Sequence, residues 1–334
     1  MRSVLYYRHG VPSEVLETVE VPAPAPPPPA HVVVRVRKRP VHYGDLLGIA
    51  GRYRGGGDLS VQPEGNRVGF EGLGEIAFVG EGVDLQPGTR VAFFPGRGAW
   101  SEYATVAAEF VTHLPDDVPD EVGAQLHVNP LTAALLRRAV DRAGTVPGRD
   151  VVVLTAASSA VARLAITALA AADIAIVGLV RSDRGAQKLR DQMPWLPVLS
   201  TANPHWKENL ADTIGSSPLK AVLDPVGGAL ASELANLLTS GGSLISYGDL
   251  SGEPISVSAL SFSTRDIRIF GVTVGTWAQL PAVQRAEDLK FAIDLARHHP
   301  ELFPVSARYD LADARSATSH VERPGKTGIV LMTS

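Results

Sequence analysis

The sequence predicts an α/β protein with two domains: an irregular β-rich domain and, inserted into it, a doubly wound parallel sheet. Val/Ile-rich runs alternate with helical stretches from about residue 150 to residue 248, as in the βαβ units of a parallel sheet. Residues 1–120 instead hold short apolar runs separated by Pro/Gly turns. The length of 334 residues also exceeds what one hydrophobic core accommodates.

The β-rich part is predicted from five strand-like runs, RSVLYYRHG, HVVVRVRKR, RVGFEGLGEIAFVG, GTRVAFFPG and AWSEYATV. Turn sequences such as QPGTR separate them. The proline run VPAPAPPPPA (residues 21–30) falls between the first two strands. We therefore interpret it as a stiff polyproline segment on the surface and not as a linker between domains.

The period of the pattern changes near Pro119. The stretch DEVGAQLHVNPLTAALLRRAV predicts a helix with Asp120 as its N-cap and a break or kink at Pro130. The strands and helices of the parallel sheet are predicted next, at 150–155, 159–171, 174–180, 184–193, 219–224, 228–239 and 242–248.

The last part of the chain predicts an apolar strand, DIRIFGVTVG, a helix around 283–298 and two short strands near 304–311 and 326–332. The two short strands are more typical of the β-rich part than of the sheet. We therefore predict that residues 1–121 and 296–334 form the outer, catalytic domain. Residues 122–295 are predicted to form the nucleotide-binding domain.

Composition excludes several classes of function. The 31 basic and 35 acidic residues give a formal charge of −4 without a basic stripe, so nucleic acid is not an expected partner. The chain has no cysteine, which excludes disulfides, thiolate metal sites and a Cys nucleophile. No apolar stretch is long enough to span a bilayer, and MRSVLYYRHGVPS lacks the apolar core of a signal peptide. We expect a cytoplasmic protein that does not bind membranes.

The stretch VVVLTAASSAVARLAITALA (151–170) has the strand–turn–helix order of a dinucleotide site, but its turn has no glycine. Small side chains meet most of the demands on that turn, and we expect it to open slightly, so that no residue is forced to positive φ. Ser158 or Ser159 is expected to cap the helix and bind a phosphate oxygen. Ala160 and Val161 bring the backbone N–H groups of the helix N-terminus. A strand–turn–helix that binds nothing remains the alternative.

The next strand, DIAIVGLV, ends just before RSDR (181–184). An NAD site usually has an acidic residue at this point, whereas an NADP site has Arg and small polar groups for the 2′-phosphate. Arg181 and Arg184 offer guanidiniums for bidentate contact, and Ser182 offers a hydroxyl. These residues predict NADPH as the cofactor, with a solvated charge at the end of the strand as the alternative for Arg181.

From VLETVEVPAP to GKTGIVLM, the chain resembles the medium-chain dehydrogenase/reductases. The resemblance implies a GroES-like irregular β-barrel as the catalytic domain and a Rossmann domain for the cofactor. Zinc members of this superfamily bind the catalytic metal with a Cys in C-H-T-D and a His in G-H-E-G. The matching stretches here are VHYGD and GFEGLG, so His42 stands at the Cys position and Phe70 replaces the histidine. One imidazole does not retain catalytic zinc, so we predict a metal-free enzyme.

Among metal-free members, the chain is most similar to the 2-enoyl thioester reductases and next to the quinone oxidoreductases. YGDLLGIAGRY places Tyr53 where those reductases have their active-site tyrosine, and GAW matches their G-T-W with Trp100. VNPLTA matches V-N-P-x-T-A, which implies that Asn129 and Thr132 face the nicotinamide. Further residues that resemble cofactor-lining segments are Tyr247 and Gly248 in LISYG, Thr276 and Trp277 in GTW, and Lys326. Ala162 departs from the family, which usually has glycine there.

The resemblance implies an NADPH-dependent reductase of an activated C=C bond in a 2-enoyl thioester or an enone. Tyr53 would assist the developing enolate, and Asn129 would orient the nicotinamide. Two alternatives stay open: a quinone reductase, and a non-catalytic scaffold protein with weakened cofactor binding. The substrate is then a small molecule or an acyl thioester, with an acyl carrier protein left open as its carrier. A homodimer is expected through edge pairing of the strand at 266–274.

Overall fold

The computed structural model describes residues 1–53 and 60–334. These residues divide into two compact units, Met1–Leu131 with Gly275–Ser334, and Thr132–Val274. The outer unit is therefore larger than the predicted outer domain, because it includes 122–131 and 275–295. Two contacts illustrate this for the second segment: Trp277 packs against Phe94, and Arg285 forms an ion pair with Glu109.

The elements up to residue 142 are mostly short strands, as predicted from the Pro/Gly turns. They are β1 (Arg2–Tyr6), α1 (Pro12–Val15), β2 (Leu16–Glu20), β3 (His31–Val41), α2 (Tyr43–Ile49), β4 (Asn66–Arg67), β5 (Gly72–Val79), β6 (Arg90–Phe93), β7 (Tyr103–Ala107), β8 (Val111–His113), α3 (Asp120–Gly123) and α4 (Val128–Arg142).

The predicted single helix beginning at Asp120 is wrong in two respects. The structure has two helices, and Pro119, not Asp120, occupies the N-cap position of α3. Pro130 does not break α4, because it lies in the first turn, where a missing backbone N–H leaves no intrahelical bond unmade.

The second unit contains alternating strands and helices. They are β9 (Val151–Leu154), α5 (Ala160–Ala170), β10 (Ala175–Val180), α6 (Asp183–Gln192), β11 (Val198–Ser200), α7 (Trp206–Ile214), β12 (Leu219–Asp224), α8 (Gly228–Leu237), β13 (Ser243–Ser246), α9 (Ala259–Arg265) and β14 (Arg268–Gly271). The chain then returns to the outer unit with α10 (Ala282–His298), β15 (Val305–Asp310), α11 (Ala314–Val321) and β16 (Ile329–Thr333).

The second unit is built on a six-stranded sheet in the order β11-β10-β9-β12-β13-β14, and every neighbouring pair is parallel. This is the doubly wound order, in which the strand order reverses beside β9. All four residues of β9 are buried, which explains its uninterrupted apolar sequence. β14 is one of the two edge strands; it is shorter than predicted and leaves Ile269 exposed.

The outer unit contains a seven-stranded sheet in the order β15-β16-β3-β5-β6-β8, with β7 also paired to β3, and a three-stranded sheet in the order β2-β1-β4. Its pairings are antiparallel except for the parallel pair of β15 and β16. The predicted fold class, an irregular β domain with an inserted doubly wound sheet, is thus confirmed. Across the part of the chain that the structure describes, no helix has both the length and the apolar character needed to cross a membrane.

Candidate active site

Tyr53 lies four residues beyond the end of α2, and a backbone hydrogen bond from its N–H to the carbonyl of Leu47 (3.1 Å) joins it to that helix. The helix starts from a reciprocal cap. The backbone N–H of His42 donates to Asp45 Oδ2 (2.8 Å), and the His42 side chain accepts from the N–H of Asp45. The position of Tyr53 is therefore set by a short helix with a well-defined start. The glycine-rich stretch that follows, residues 54–59, lies outside the described residues.

A fully buried carboxylate, Glu71, lies between the starts of α2 and α4. One of its oxygens accepts from His42 Nε2 (2.6 Å), and the other accepts the backbone N–H groups of His127 (2.6 Å) and Val128 (3.1 Å). A carboxylate at the start of a 15-residue helix is also stabilised by the helix dipole. Glu71 thus connects two segments that are far apart in the sequence.

The groups around Glu71 are buried and have shifted pKa values. Burial lowers the pKa of His127 to about 4, so its imidazole is neutral at pH 7, and its Nε2 lies 2.9 Å from Thr112 Oγ1. Burial raises the pKa of Asp45 to about 7, although nearby His42 favours the ionised form. The spacing of the histidines gives no indication of this cluster. The only sequence signal is the acidic residue in GFEGLG, and its partners become apparent only in the folded chain.

The positions that match the metal ligands of zinc relatives are occupied differently here. The rings of His42 and Phe70 are stacked with their centroids 6.4 Å apart, and His42 Nε2 is already bonded to Glu71. Within the described ranges, no three His, Asp or Glu side chains are grouped as metal ligands. The residues present at this position do not fit a catalytic zinc ion.

Asn129 and Thr132 lie in the first turns of α4 and are 5% and 7% exposed. Their burial at the start of a helix is compatible with the nicotinamide contacts that the resemblance implies, and these contacts stay a prediction. A cavity of about 540 Å³ in the outer unit is lined by residues of α2 and of the following loops. Its lining includes Asp45, Ile49 and Phe70, with Arg67 and Arg97.

Three of the predicted cofactor residues belong to the C-terminal part of the outer unit. Trp277 is 1% exposed, and its indole N–H donates to Asp288 Oδ2 (3.0 Å), so this side chain is part of the core. Thr276 lies beside it in the same short 3₁₀ helix. Lys326 is half-buried, which lowers its pKa, and its ammonium donates to the carbonyl of Gly328 (2.7 Å).

In the second unit, the turn between β9 and α5 places Ser159 at the N-cap of α5, where its hydroxyl accepts from the N–H of Ala162 (3.2 Å). Ala160 and Val161 form the first turn of that helix. The expectation that no residue adopts positive φ is wrong, because Ala156 has φ = 47°. Without glycine the chain still turns sharply after Leu154, so an alanine takes the left-handed conformation.

The residues after β10 and β13 complete this end of the sheet. Arg181 and Arg184 are exposed just beyond β10, and Ser182 caps α6 by accepting from the N–H of Gly185 (3.2 Å). Tyr247 follows β13, with Gly248 packed closely against Pro225. The buried Tyr247 hydroxyl lies near Ser159 and has no hydrogen-bond partner of good geometry among the described residues. Burial and the charge of Asp224 raise the pKa of this phenol.

The matches to known proteins agree with this geometry. Residues 28–116 match the alcohol dehydrogenase GroES-like domain. The mitochondrial enoyl-[acyl-carrier-protein] reductase of Arabidopsis thaliana is 32% identical over 305 residues, which cover 89% of this chain and 78% of that protein. The human protein of the same name is 27% identical, and the match covers 97% of this chain and 86% of the human protein.

Solved structures extend the similarity over the whole chain. A Bacillus thuringiensis protein assigned as an NADPH:quinone reductase superposes with a TM-score of 0.87 at 26% identity, covering 100% of this chain and 98% of its own. Escherichia coli quinone oxidoreductase, solved with NADPH, has a TM-score of 0.85 at 21% identity, and both chains are covered completely. The latter similarity concerns the fold.

A GroES-like domain with an inserted doubly wound sheet defines an oxidoreductase of the medium-chain dehydrogenase/reductase superfamily. Within it, the chain belongs to the family of the enoyl-[acyl-carrier-protein] reductases and is similar in structure to quinone oxidoreductases. The resemblance expected from the sequence is thereby confirmed. The chain is an enzyme by family, not the non-catalytic scaffold that the sequence left open.

Proposed function

We propose that this protein is an NADPH-dependent reductase of the activated C=C bond in a 2-enoyl thioester or an enone. The observation that carries the proposal is that the backbone of Tyr53 is bonded to Leu47 of α2 in a member of the enoyl reductase family. The same helix lines the 540 Å³ cavity of the outer unit, where we place the substrate, although Tyr53 is not itself among the lining residues. No metal ligand is needed, because the phenol supplies the hydrogen-bond donor.

The residues of the second unit fit a dinucleotide phosphate. The first N–H groups of α5 have no acceptor within the helix apart from the Ser159 hydroxyl, and the Tyr247 hydroxyl is buried near Ser159 without a partner of good geometry among the described residues. The exposed guanidiniums of Arg181 and Arg184 would hold a 2′-phosphate, with the Ser182 hydroxyl between them. We therefore propose NADPH in preference to NADH.

When bound, the reduced nicotinamide supplies a hydride to the β-carbon of the substrate. Negative charge then develops on the carbonyl oxygen of the thioester or enone. The Tyr53 hydroxyl donates a hydrogen bond to that oxygen and thereby stabilises the enolate. We propose that the same hydroxyl gives its proton to the α-carbon and that the phenolate regains a proton from solvent. Asn129 orients the nicotinamide by hydrogen bonds to its carboxamide or ribose, which contributes positioning and not proton transfer.

The proposal is tested with Tyr53→Phe, which removes the hydroxyl and keeps the ring. Reduction of crotonyl thioester by NADPH should fall at least about tenfold in kcat, because one donor to a developing oxyanion typically contributes on the order of 10²–10³ in rate. Reduction of a quinone should stay within about twofold, since that reaction needs the same cofactor site but no dedicated proton donor.

Tyr103→Phe is the matched control, because Tyr103 lies on β7, in the sheet and away from α2. It should leave both rates unchanged. If Tyr53→Phe lowers quinone and thioester reduction equally, the phenol has no role in enolate stabilisation. If the parent protein reduces only quinones, it is a quinone reductase.

Two further proposals concern partners. The substrate is a small molecule or an acyl thioester, and the name of the Arabidopsis relative supports an acyl carrier protein as one carrier. A homodimer through β14 is supported by the position of that strand at the edge of the six-stranded sheet, with Ile269 exposed.

A further inference from the structure

The buried Glu71 carboxylate forms hydrogen bonds with both segments that carry the proposed active-site residues. Through His42 it holds the start of α2, whose end fixes Tyr53. Through the backbone N–H groups of His127 and Val128 it holds the start of α4, which carries Asn129 as its second residue. All of these groups belong to the outer unit.

The geometry requires both side-chain oxygens of residue 71 to act as hydrogen-bond acceptors. A carboxylate only accepts hydrogen bonds, so His42 Nε2, which lies 2.6 Å from Glu71, is the donor. The other carboxylate oxygen takes the two backbone donors. An amide in place of the carboxylate keeps one oxygen, which is a neutral and weaker acceptor, and sets its NH₂ group against a donor on the other side. A buried donor without an acceptor is costly, so one segment would have to move and the other would be held less tightly.

We infer that Glu71 is a positioning residue that sets Tyr53 and Asn129 in register with each other through α2 and α4. It touches neither substrate nor cofactor. It keeps two groups at a fixed separation: the Tyr53 hydroxyl, which donates to the enolate, and the Asn129 amide, which orients the nicotinamide. Hydride transfer depends strongly on this geometry. The inference rests on the proposed function for its effect on rate, but not for its effect on structure.

Hydrogen exchange measures the structural effect without any activity. In Glu71→Gln, amide exchange should become about tenfold faster or more in residues 43–53 and in residues 127–132, because one segment loses its acceptor and the other keeps only a neutral one. His42→Leu removes only the link to α2 and should accelerate exchange in 43–53 alone. The matched control is Glu75→Gln, since Glu75 lies on β5 close to Glu71 but pairs with Arg37 at the surface. It should change neither segment.

Kinetics measure the functional effect. His42→Leu should lower thioester reduction about tenfold and leave quinone reduction and the Kd for NADPH within about twofold. In the Tyr53→Phe background, the same substitution should cause no further loss, because both changes act on one hydroxyl. Glu71→Gln should in addition raise the Kd for NADPH by about threefold or more, through Asn129.

The outcomes separate the two proposals. Additive losses for His42→Leu and Tyr53→Phe, or faster exchange in only one segment of Glu71→Gln, would overturn the positioning role of Glu71. A parent protein inactive on thioesters would overturn the proposed function, and the exchange experiment would still decide about Glu71. If Glu71→Gln does not fold, Glu71→Asp, which keeps the carboxylate but shortens its reach, is measured in the same way, with the same expected pattern.

Discussion

Two strand–turn–helix units lie side by side in the six-stranded sheet, because β9 and β12 are paired neighbours. The turn after β12 is rich in glycine, and Gly227 and Gly228 adopt φ values of 77° and 60°. The turn after β9 has no glycine, and Ala156 takes the left-handed conformation instead, at φ = 47°. By the usual glycine criterion, the turn after β12 is the better phosphate site of the two.

The hydrogen bonds reverse that expectation. After β12, Asp224 Oδ2 accepts the N–H groups of Val226 (3.1 Å) and Gly227 (2.6 Å), and the carbonyl of Glu253 accepts from Gly228 (3.1 Å). The turn is thus filled by acceptors of the protein itself and carries a carboxylate. After β9, the cap seen among the described residues is the neutral Ser159 hydroxyl, although Thr155 Oγ1 in this turn also donates to Asp224. An anion is therefore better accommodated at the start of α5, where the N–H groups are capped by a neutral group, than at the turn after β12, where a carboxylate accepts from them, whatever the glycine content.

The largest effect is expected from making the turn after β9 resemble the turn after β12. Ser159→Asp supplies a carboxylate cap to α5, which preserves helix capping but places a negative charge where a diphosphate would bind. The Kd for NADPH, measured by calorimetry, should rise at least about hundredfold. The melting temperature of the unliganded protein should not fall.

Ser258→Asp is the matched control, since Ser258 caps α9 in the same unit by accepting from the N–H of Leu260 (3.2 Å). It adds the same charge and should leave the Kd for NADPH unchanged. Equal weakening by both variants would mean that the turn after β9 is not the phosphate site.

The role of Asp224 as the acceptor in the turn after β12 is tested by Asp224→Ala. Thr155 Oγ1 and two backbone N–H groups would lose their buried acceptor, and the free energy of unfolding at pH 7 should fall by about 2 kcal/mol or more. Glu233→Ala is the control, because it removes a half-exposed carboxylate of α8 that is paired with Lys207. It should change the free energy of unfolding by less than about 0.5 kcal/mol.

The loss of stability caused by Asp224→Ala should also depend on pH. Burial raises the pKa of Asp224 above its ordinary value of 3.8, so the folded state holds this proton more tightly than the unfolded state. The stability difference between the parent and Asp224→Ala should therefore be larger at pH 4 than at pH 8. Urea unfolding at several pH values measures it, and a difference that grows with pH would contradict the assigned shift.

Sequence reasoning succeeded where the signal is local. The Val/Ile runs predicted the parallel sheet because a strand buried on both faces needs them, and the Ser158/Ser159 pair included the N-cap of α5 because capping depends on residues within one turn. It failed where contacts are long-range. The sequence compares His42 only with the metal ligands of zinc relatives, and only the fold brings its ring and the backbone N–H of His127 to Glu71. The conformation of Ala156 was missed because the sequence does not reveal how sharply the chain leaves β9.

A smaller effect is expected from Arg181, which lies just beyond β10. Arg181→Ala removes one of two guanidiniums proposed to hold the 2′-phosphate, so the Kd for NADPH should rise about tenfold. NADH lacks that phosphate and serves as the control ligand, with a Kd unchanged within about twofold. If both nucleotides weaken equally, Arg181 supports the fold of the turn and does not read the phosphate.

The smallest effect concerns Ala156 itself. A left-handed alanine costs about 1–2 kcal/mol, and glycine removes that strain but loses more chain entropy on folding. Ala156→Gly should therefore raise the free energy of unfolding by up to about 1 kcal/mol and leave the Kd for NADPH within about twofold, because the Ser159 cap is retained. Ala157→Gly is the opposing control: Ala157 is fully buried without positive φ, so glycine there should be destabilising by about 1 kcal/mol. Destabilisation by both substitutions would show that the left-handed alanine is not strained, and the two turns would then differ in their capping charge alone.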